Sequence, residues 1–111
     1  MITDLSYLKS LANNDESFIR DMINIFKEQF EEYRIEMPDL LEKSDFNNLS
    51  KMAHKAKSSV AVMGMTSEAD ILQKLEILSK TGKQSEDYAE MINIFITQTS
   101  EAISELEQTY P

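Results

Sequence analysis

The chain has 111 residues, one domain's length, with 41% hydrophobic residues, 28% charged residues and a net charge of −9. That balance excludes a disordered chain, and the acidic surface argues against nucleic acid and anionic membrane as partners, since both repel it. The lack of cysteine excludes disulfides, cysteine-type zinc sites and thiol catalysis, and it fits a reducing compartment.

The N-terminal Met-Ile-Thr-Asp has none of the basic, apolar and small-residue regions of a signal peptide. No apolar run approaches the roughly 20 residues needed to span a bilayer. A cytoplasmic protein is therefore expected. Met1 and the absence of linker sequence point to a free-standing protein. With only 2 Gly and 2 Pro, the chain has little turn punctuation and favours long helices.

Thr3 or Asp4 can cap a short first helix in which Leu5, Leu8 and Leu11 share a face. Asn13 and Asn14 break it. Asp15 is a plausible cap for a long second helix, whose apolar positions Ile19, Met22, Phe26, Phe30, Tyr33, Met37 and Leu40 step by three or four. Pro38 should bend or restart that helix. Ser44 and Asp45 read as a turn and cap, with a third helix from Phe46 to about Gly64. Thr66 or Ser67 caps a fourth helix, Ser67 with Asp70 forming a weak capping box, and Gly82 suits the position past its end. Ser85 can cap a fifth, along which Tyr88, Met91, Ile92, Phe95, Thr99, Ala102, Ile103 and Leu106 recur at helical spacing. No strand pattern and no internal repeat appears. The expectation is an all-α protein: an antiparallel up-down four-helix bundle with a short additional N-terminal helix, forming one domain over residues 1–111.

The third helix carries the only histidine. At about 100° per residue, with His54 at zero, Leu49, Met52, Ala56, Val60 and Met63 gather on the opposite side, so His54 faces solvent. A lone bundle histidine is more often half-buried and satisfied, and the helical phase argues against that here. From Phe46 to Ser67 there is no Asp or Glu, although the chain holds 20 acids, while Lys51, Lys55 and Lys57 lie in the same stretch. A basic face can be merely solvated. Around one exposed imidazole in an acidic protein, an anion is the better account, and a phosphoryl group on the ring would be that anion. Ser58 and Ala61 are small and leave room for another protein to approach. Ala61, Val62 and Met65 are apolar yet expected on the side of His54, as a docking surface would be.

A hairpin of the third and fourth helices turning about Met65 brings His54 level with Glu76. A carboxylate there could accept a hydrogen bond from Nδ1 and leave Nε2 nucleophilic. A turn displaced by one residue would favour Gln73 or another neighbour instead.

The segment Ala53-His54-Lys55-Ala56-Lys57-Ser58-Ser59-Val60-Ala61-Val62-Met63-Gly64-Met65 resembles the signature of histidine phosphotransfer (HPt) domains, the intermediate carriers of multistep phosphorelays. That pattern is a His, a Lys three residues on, a small residue and Ser next, then a Gly ten after the His. His54, Lys57, Ser59 and Gly64 match, while Ser58 stands where the family usually has Gly. The family often places a Glu or Gln on the next helix, at the position of Glu76. The resemblance implies that His54 accepts a phosphoryl group from the phosphoaspartate of a receiver domain and passes it to another receiver. It implies Lys57 as stabiliser of the phosphoryl oxygens, aided by Lys51 or Lys55, and Glu76 as the group orienting the imidazole. The docking residues would be Lys51, Lys55, Ser58, Ala61, Val62 and Met65.

The partners implied are response-regulator receivers and hybrid sensor histidine kinases. No cofactor or metal is expected on this chain; Mg²⁺ would belong to the receiver. The expected role is that of a monomeric phosphocarrier without its own ATP site. A kinase would need a Gly-rich phosphate loop, which is absent, and its dimerisation helix usually has an acid where Lys55 stands. A di-metal bundle needs two Glu-x-x-His motifs, and there is one His. The rival from another class is a helical adaptor that binds receivers without carrying phosphate.

Overall fold

A computed structural model describes residues 2–111; Met1 lies outside the described residues, and with it the free-standing reading that leaned on it. Among the described residues there are five helices and no strand. Helix α1 spans Ser6–Ala12, α2 Glu16–Glu42, α3 Phe46–Val62, α4 Thr66–Lys80 and α5 Asp87–Thr109. The molecule measures 44 × 20 × 20 Å, and α2 alone runs nearly its full length at about 1.5 Å per residue.

The start of α1 is held by Asp4, whose Oδ1 accepts from the Ser6 backbone N–H at 3.0 Å and from its hydroxyl at 2.6 Å. Leu5, Leu8 and Ala12 turn inward, whereas Leu11 is left 55% exposed. The expected Leu5–Leu8–Leu11 face is corrected accordingly: Leu11 falls about 90° from the centre of the inward face. Asn13 and Asn14 end the helix in the left-handed conformation, which asparagine tolerates. Asp15 then caps α2 by accepting from the N–H groups of Ser17 and Phe18.

Pro38 neither ends nor restarts α2, which runs on to Glu42. The proline is exposed, so the Arg34 carbonyl that loses its helical donor lies on a wet face, while Met37 stays fully buried beside it. Ser44 (φ 54°) makes the next turn, and Asp45 caps α3 through the Asn48 N–H at 3.3 Å.

Helix α3 stops at Val62, short of Gly64. Gly64 N–H donates to Ala61 O at 3.0 Å and Met65 N–H to Val60 O at 3.1 Å, which is a Schellman termination with Gly64 in the left-handed position. That motif packs the residue after the glycine against the last turn of its helix, and Met65 is fully buried. Met65 also stands at the N-cap of α4, which has no side-chain cap. Thr66 and Ser67 are therefore inside the helix, and the Ser67–Asp70 capping box does not form. Past α4, Gly82 is left-handed, and Ser85 Oγ accepts from the Asp87 N–H at the start of α5.

Helix α2 packs against α3 and α5, α4 against α3 and α5, and α1 against α2. The inner faces of α2 and α5 meet through Phe30 and Phe95, edge to face at 5.9 Å, with Tyr33 beside them. Phe46 and Tyr88 stack at 5.1 Å toward the other end. Met22, Leu40, Met52, Met91 and Ile103 are half-buried around this core. No helix of the described residues is long and apolar enough to cross a membrane.

The turn at Gly64 is also sealed from outside. Asp4 N–H donates to Met63 O at 3.0 Å, and a Cβ on Gly64 would stand 2.1 Å from the Asp4 carbonyl oxygen. Gly82 shares the same backbone conformation but faces open space. Gly82→Ala is expected to cost about 1 kcal/mol, the left-handed penalty alone. Gly64→Ala should cost about 2 kcal/mol or more, because the collision adds to that penalty. Urea midpoints of the two variants check the difference; equal losses would contradict it.

Candidate functional site

Helix α3 buries Phe46, Leu49, Ser50, Ala53, Ala56 and Val60. Burying that stripe turns the opposite face outward, and the His54 side chain is 62% exposed. Met63 is also buried and Met52 half-buried, so the five residues expected opposite His54 lie on the inner side.

Helix α4 brings Glu76 to the ring. His54 Nδ1 lies 3.0 Å from Glu76 Oε2, and Lys57 Nζ donates to Glu76 Oε1 at 3.0 Å. One carboxylate thus bridges two side chains of α3 that are one turn apart. Its main chain is pinned as well, because Ser50 Oγ donates to the Glu76 carbonyl at 2.9 Å. Glu76 is 21% exposed and Lys57 27%.

The hydrogen bond from Lys57 holds the Glu76 carboxyl below its ordinary value of 4.5; the His54 bond and the Lys57 charge add to the effect, and burial opposes it. Glu76 is therefore ionised at neutral pH, and an ionised carboxylate can only accept. The Nδ1 of a neutral ring must then carry the proton, which leaves the lone pair on Nε2, the nitrogen directed away from Glu76.

The remaining sequence candidates divide. Lys51 and Lys55 are exposed beside His54, and Lys55 makes only a long contact, 3.7 Å, with Glu32 of α2. Ser58 is exposed one turn on, its hydroxyl 3.4 Å from the His54 carbonyl. Ala61 is exposed and Val62 half-buried. Met65 does not reach this face: it is buried under the Schellman turn, so its assignment to a docking surface is withdrawn. Gln73 is exposed and takes no part in the contact with His54.

Two supports were not read from the sequence. Ser50 sits one turn before His54 and is buried. Ser59 Oγ donates to Gln29 Oε1 at 2.9 Å and pairs with Tyr33 OH at 3.0 Å, tying α3 to α2 behind the histidine face. Small polar residues on an otherwise apolar stripe were the available signal. Beside this tie, Met22, Ile25, Phe26, Ser58 and Val62 line a shallow groove of about 220 Å³. Among the described residues, no group of three or more His, Asp or Glu side chains is placed to hold a metal ion.

What the arrangement offers is an accessible imidazole with a defined tautomer, flanked by cations, on a rigid helix. Comparison with known families agrees with that reading: the family model described as the Hpt domain matches residues 21–109. The chain belongs to the Hpt domain family. Its members are phosphocarrier modules of two-component phosphorelays, where they work with receiver domains and kinases. The match begins within α2, so α1 lies outside it. Searches of the curated proteins and of the solved structures find no match.

The lowered Glu76 value has a consequence for stability. A carboxyl depressed in the folded state contributes stability that is complete above the unfolded value near 4.5 and is lost as pH falls through the lower folded value. The stability advantage of the wild type over Glu76→Gln should therefore shrink between about pH 6 and about pH 3, by roughly 1 kcal/mol or less for a pair this near solvent. Urea titrations at the two pH values measure it; an advantage that grows on acidification would contradict the assignment.

Proposed function

We propose that His54 is the phosphorylated residue of a carrier that accepts a phosphoryl group from the phosphoaspartate of one receiver domain and passes it to the aspartate of another. The observation that carries this reading is the 3.0 Å contact of Nδ1 with Glu76 on a side chain that is 62% exposed. The Nε2 lone pair attacks phosphorus in line, the N–P bond forms as the bond to the aspartyl oxygen breaks, and the aspartate leaves as a carboxylate. Nδ1 keeps its proton throughout, and Glu76 balances the positive charge that develops on the ring. The reverse exchange on a second receiver returns His54 to its neutral form. Lys51, Lys55 and Lys57 supply positive charge around the phosphoryl oxygens. Mg²⁺ belongs to the receiver, and ATP chemistry to the kinase upstream.

The docking face in this proposal comprises Lys51, Lys55, Ser58, Ala61 and Val62. Residues 1–111 act as a single, monomeric domain in the cytoplasm, in which α2 to α5 form an antiparallel up-down bundle and α1 is an addition. What supports the up-down arrangement is the pairing along α2. Lys27 meets Glu107 of α5, while Pro38 shares a groove with Ile96. Likewise Gln29 meets Ser59 of α3, while Leu40 shares a groove with Asn48.

The test is transfer from a Mg²⁺-charged, phosphorylated receiver to the wild type and to His54→Gln, scored for acid-labile, base-stable label. Label on the wild type and none above background on the variant is expected. Label on neither, from receivers that charge other carriers, would favour the non-phosphorylated adaptor.

A further inference from the structure

We propose that the pocket closed by the N-terminal segment, the Gly64 turn and α5 is a binding site for a small organic cation, an alkylguanidinium whose head is held by Glu68. The site is separate from the histidine face: Gly64 lies ten residues beyond His54, about 15 Å at the rise of a helix.

Glu68 carries the argument. It lies in the first turn of α4 and is only 5% exposed, yet among the described residues its carboxylate has neither a hydrogen-bond donor nor a cation beside it. Taking a carboxylate out of water without a partner is costly, so buried acids are normally paired. Thr3 stands on the same wall, 7% exposed, and its hydroxyl also has no partner among the described residues. Folded proteins satisfy nearly all such groups. Two orphaned groups on one wall call for a donor from outside the chain. Both residues line a pocket of about 430 Å³ together with Asp4, Ser67 and Gln98, room enough for a head group and a short alkyl stem.

The charge of the lining selects the sign of the ligand. Asp4 and Glu68 are acids, and no lining residue is Lys or Arg. Asp4 gives Oδ1 to Ser6, bonds that hold its carboxyl below the usual carboxylate value and leave Oδ2 uncommitted. Glu105 of α5 adds a third acid beside Ile2, whose N–H it accepts at 3.0 Å. The start of α4, which has no side-chain cap, carries about half a positive charge, too little to offset two carboxylates. A metal ion is not the occupant, since among the described residues no three acids converge to ligate one. A guanidinium fits better. Its planar fork pairs with a carboxylate, and its other N–H groups meet neutral acceptors such as the Gln98 amide and the Ser67 hydroxyl. Ile2 gives the alkyl stem an apolar wall.

The test is titration of the full chain with n-butylguanidinium at low ionic strength, followed by nitrogen-15 amide shifts. Saturable shifts are expected at Gly64, Ser67, Glu68 and Gln98, and none with the neutral isostere n-butylurea. Glu68→Gln should weaken binding about tenfold or more, the loss of one charge-assisted contact. Should Glu68→Gln be poorly folded by circular dichroism, Gln98→Leu should weaken binding about threefold. No saturation by about 10 mM, shifts spread evenly over the acidic surface, equal shifts with n-butylurea, or unchanged affinity in the folded variants each overturn the proposal. Tighter binding of an arginine-bearing tripeptide than of the free cation would assign the head group to a partner's side chain and overturn the small-molecule reading. The readout involves neither His54 nor phosphate, so its outcome is separate from that of the phosphotransfer experiment.

Discussion

Gly64 turns the chain from α3 into α4 in a left-handed conformation beneath the Asp4 carbonyl, where there is no room for a Cβ. Only three residues, Met63 to Met65, separate the two helices, and both methionines are buried. A connection that short, closed by two Schellman hydrogen bonds and covered by the N-terminal segment, leaves α3 and α4 little freedom to slide. Their register is thereby set, and with it the meeting of His54 with Glu76. The site consists of side chains from two helices, so it depends on that register more than on any single contact within it.

Exposure and charge then act together. Burial of the apolar stripe of α3 drives the histidine outward without any contribution from the histidine itself. The exposed lysines around it add little to stability, since an ion pair such as Lys55–Glu32, open to solvent and 3.7 Å long, is worth about 0–1 kcal/mol at most. What they do create is a local positive field on the face of His54 in a chain of net charge −9. Glu76 introduces an acid into this basic island yet does not cancel it. It is set on the Nδ1 side, low and partly enclosed, while the cations Lys51 and Lys55 remain open.

The departures between pattern and structure have local causes. Leu11 obeys helical spacing with Leu8 but falls outside the short arc that a seven-residue helix buries. Pro38 would interrupt a buried helix face, and it is tolerated because it lies on the wet one. Met65 follows the phase of α3 only if the helix continues, and the glycine stops it first. The hairpin count reached Glu76 through a register that is itself displaced: the Glu76 main chain meets Ser50, one turn further from the loop than His54. Its side chain leans toward the start of α4, as helical side chains do, and so returns to the histidine.

Periodicity, caps and the run of lysines without acids were enough to establish an all-helical chain, its helix boundaries to within a residue or two, and an outward His54 in a basic setting. Those features depend on spacing along one helix, which the order of residues specifies directly. The folded molecule alone decided that Lys57 lies on Glu76 rather than in solvent, that Ser50 anchors the acid's main chain, that Ser59 ties α3 to Gln29 and Tyr33, and that Met65 is core. Each of these is a contact between helices or a turn conformation. Such contacts depend on register and on the direction of side chains about their helix axes, which shift by several ångströms for one residue of turn and leave no periodic mark in the sequence.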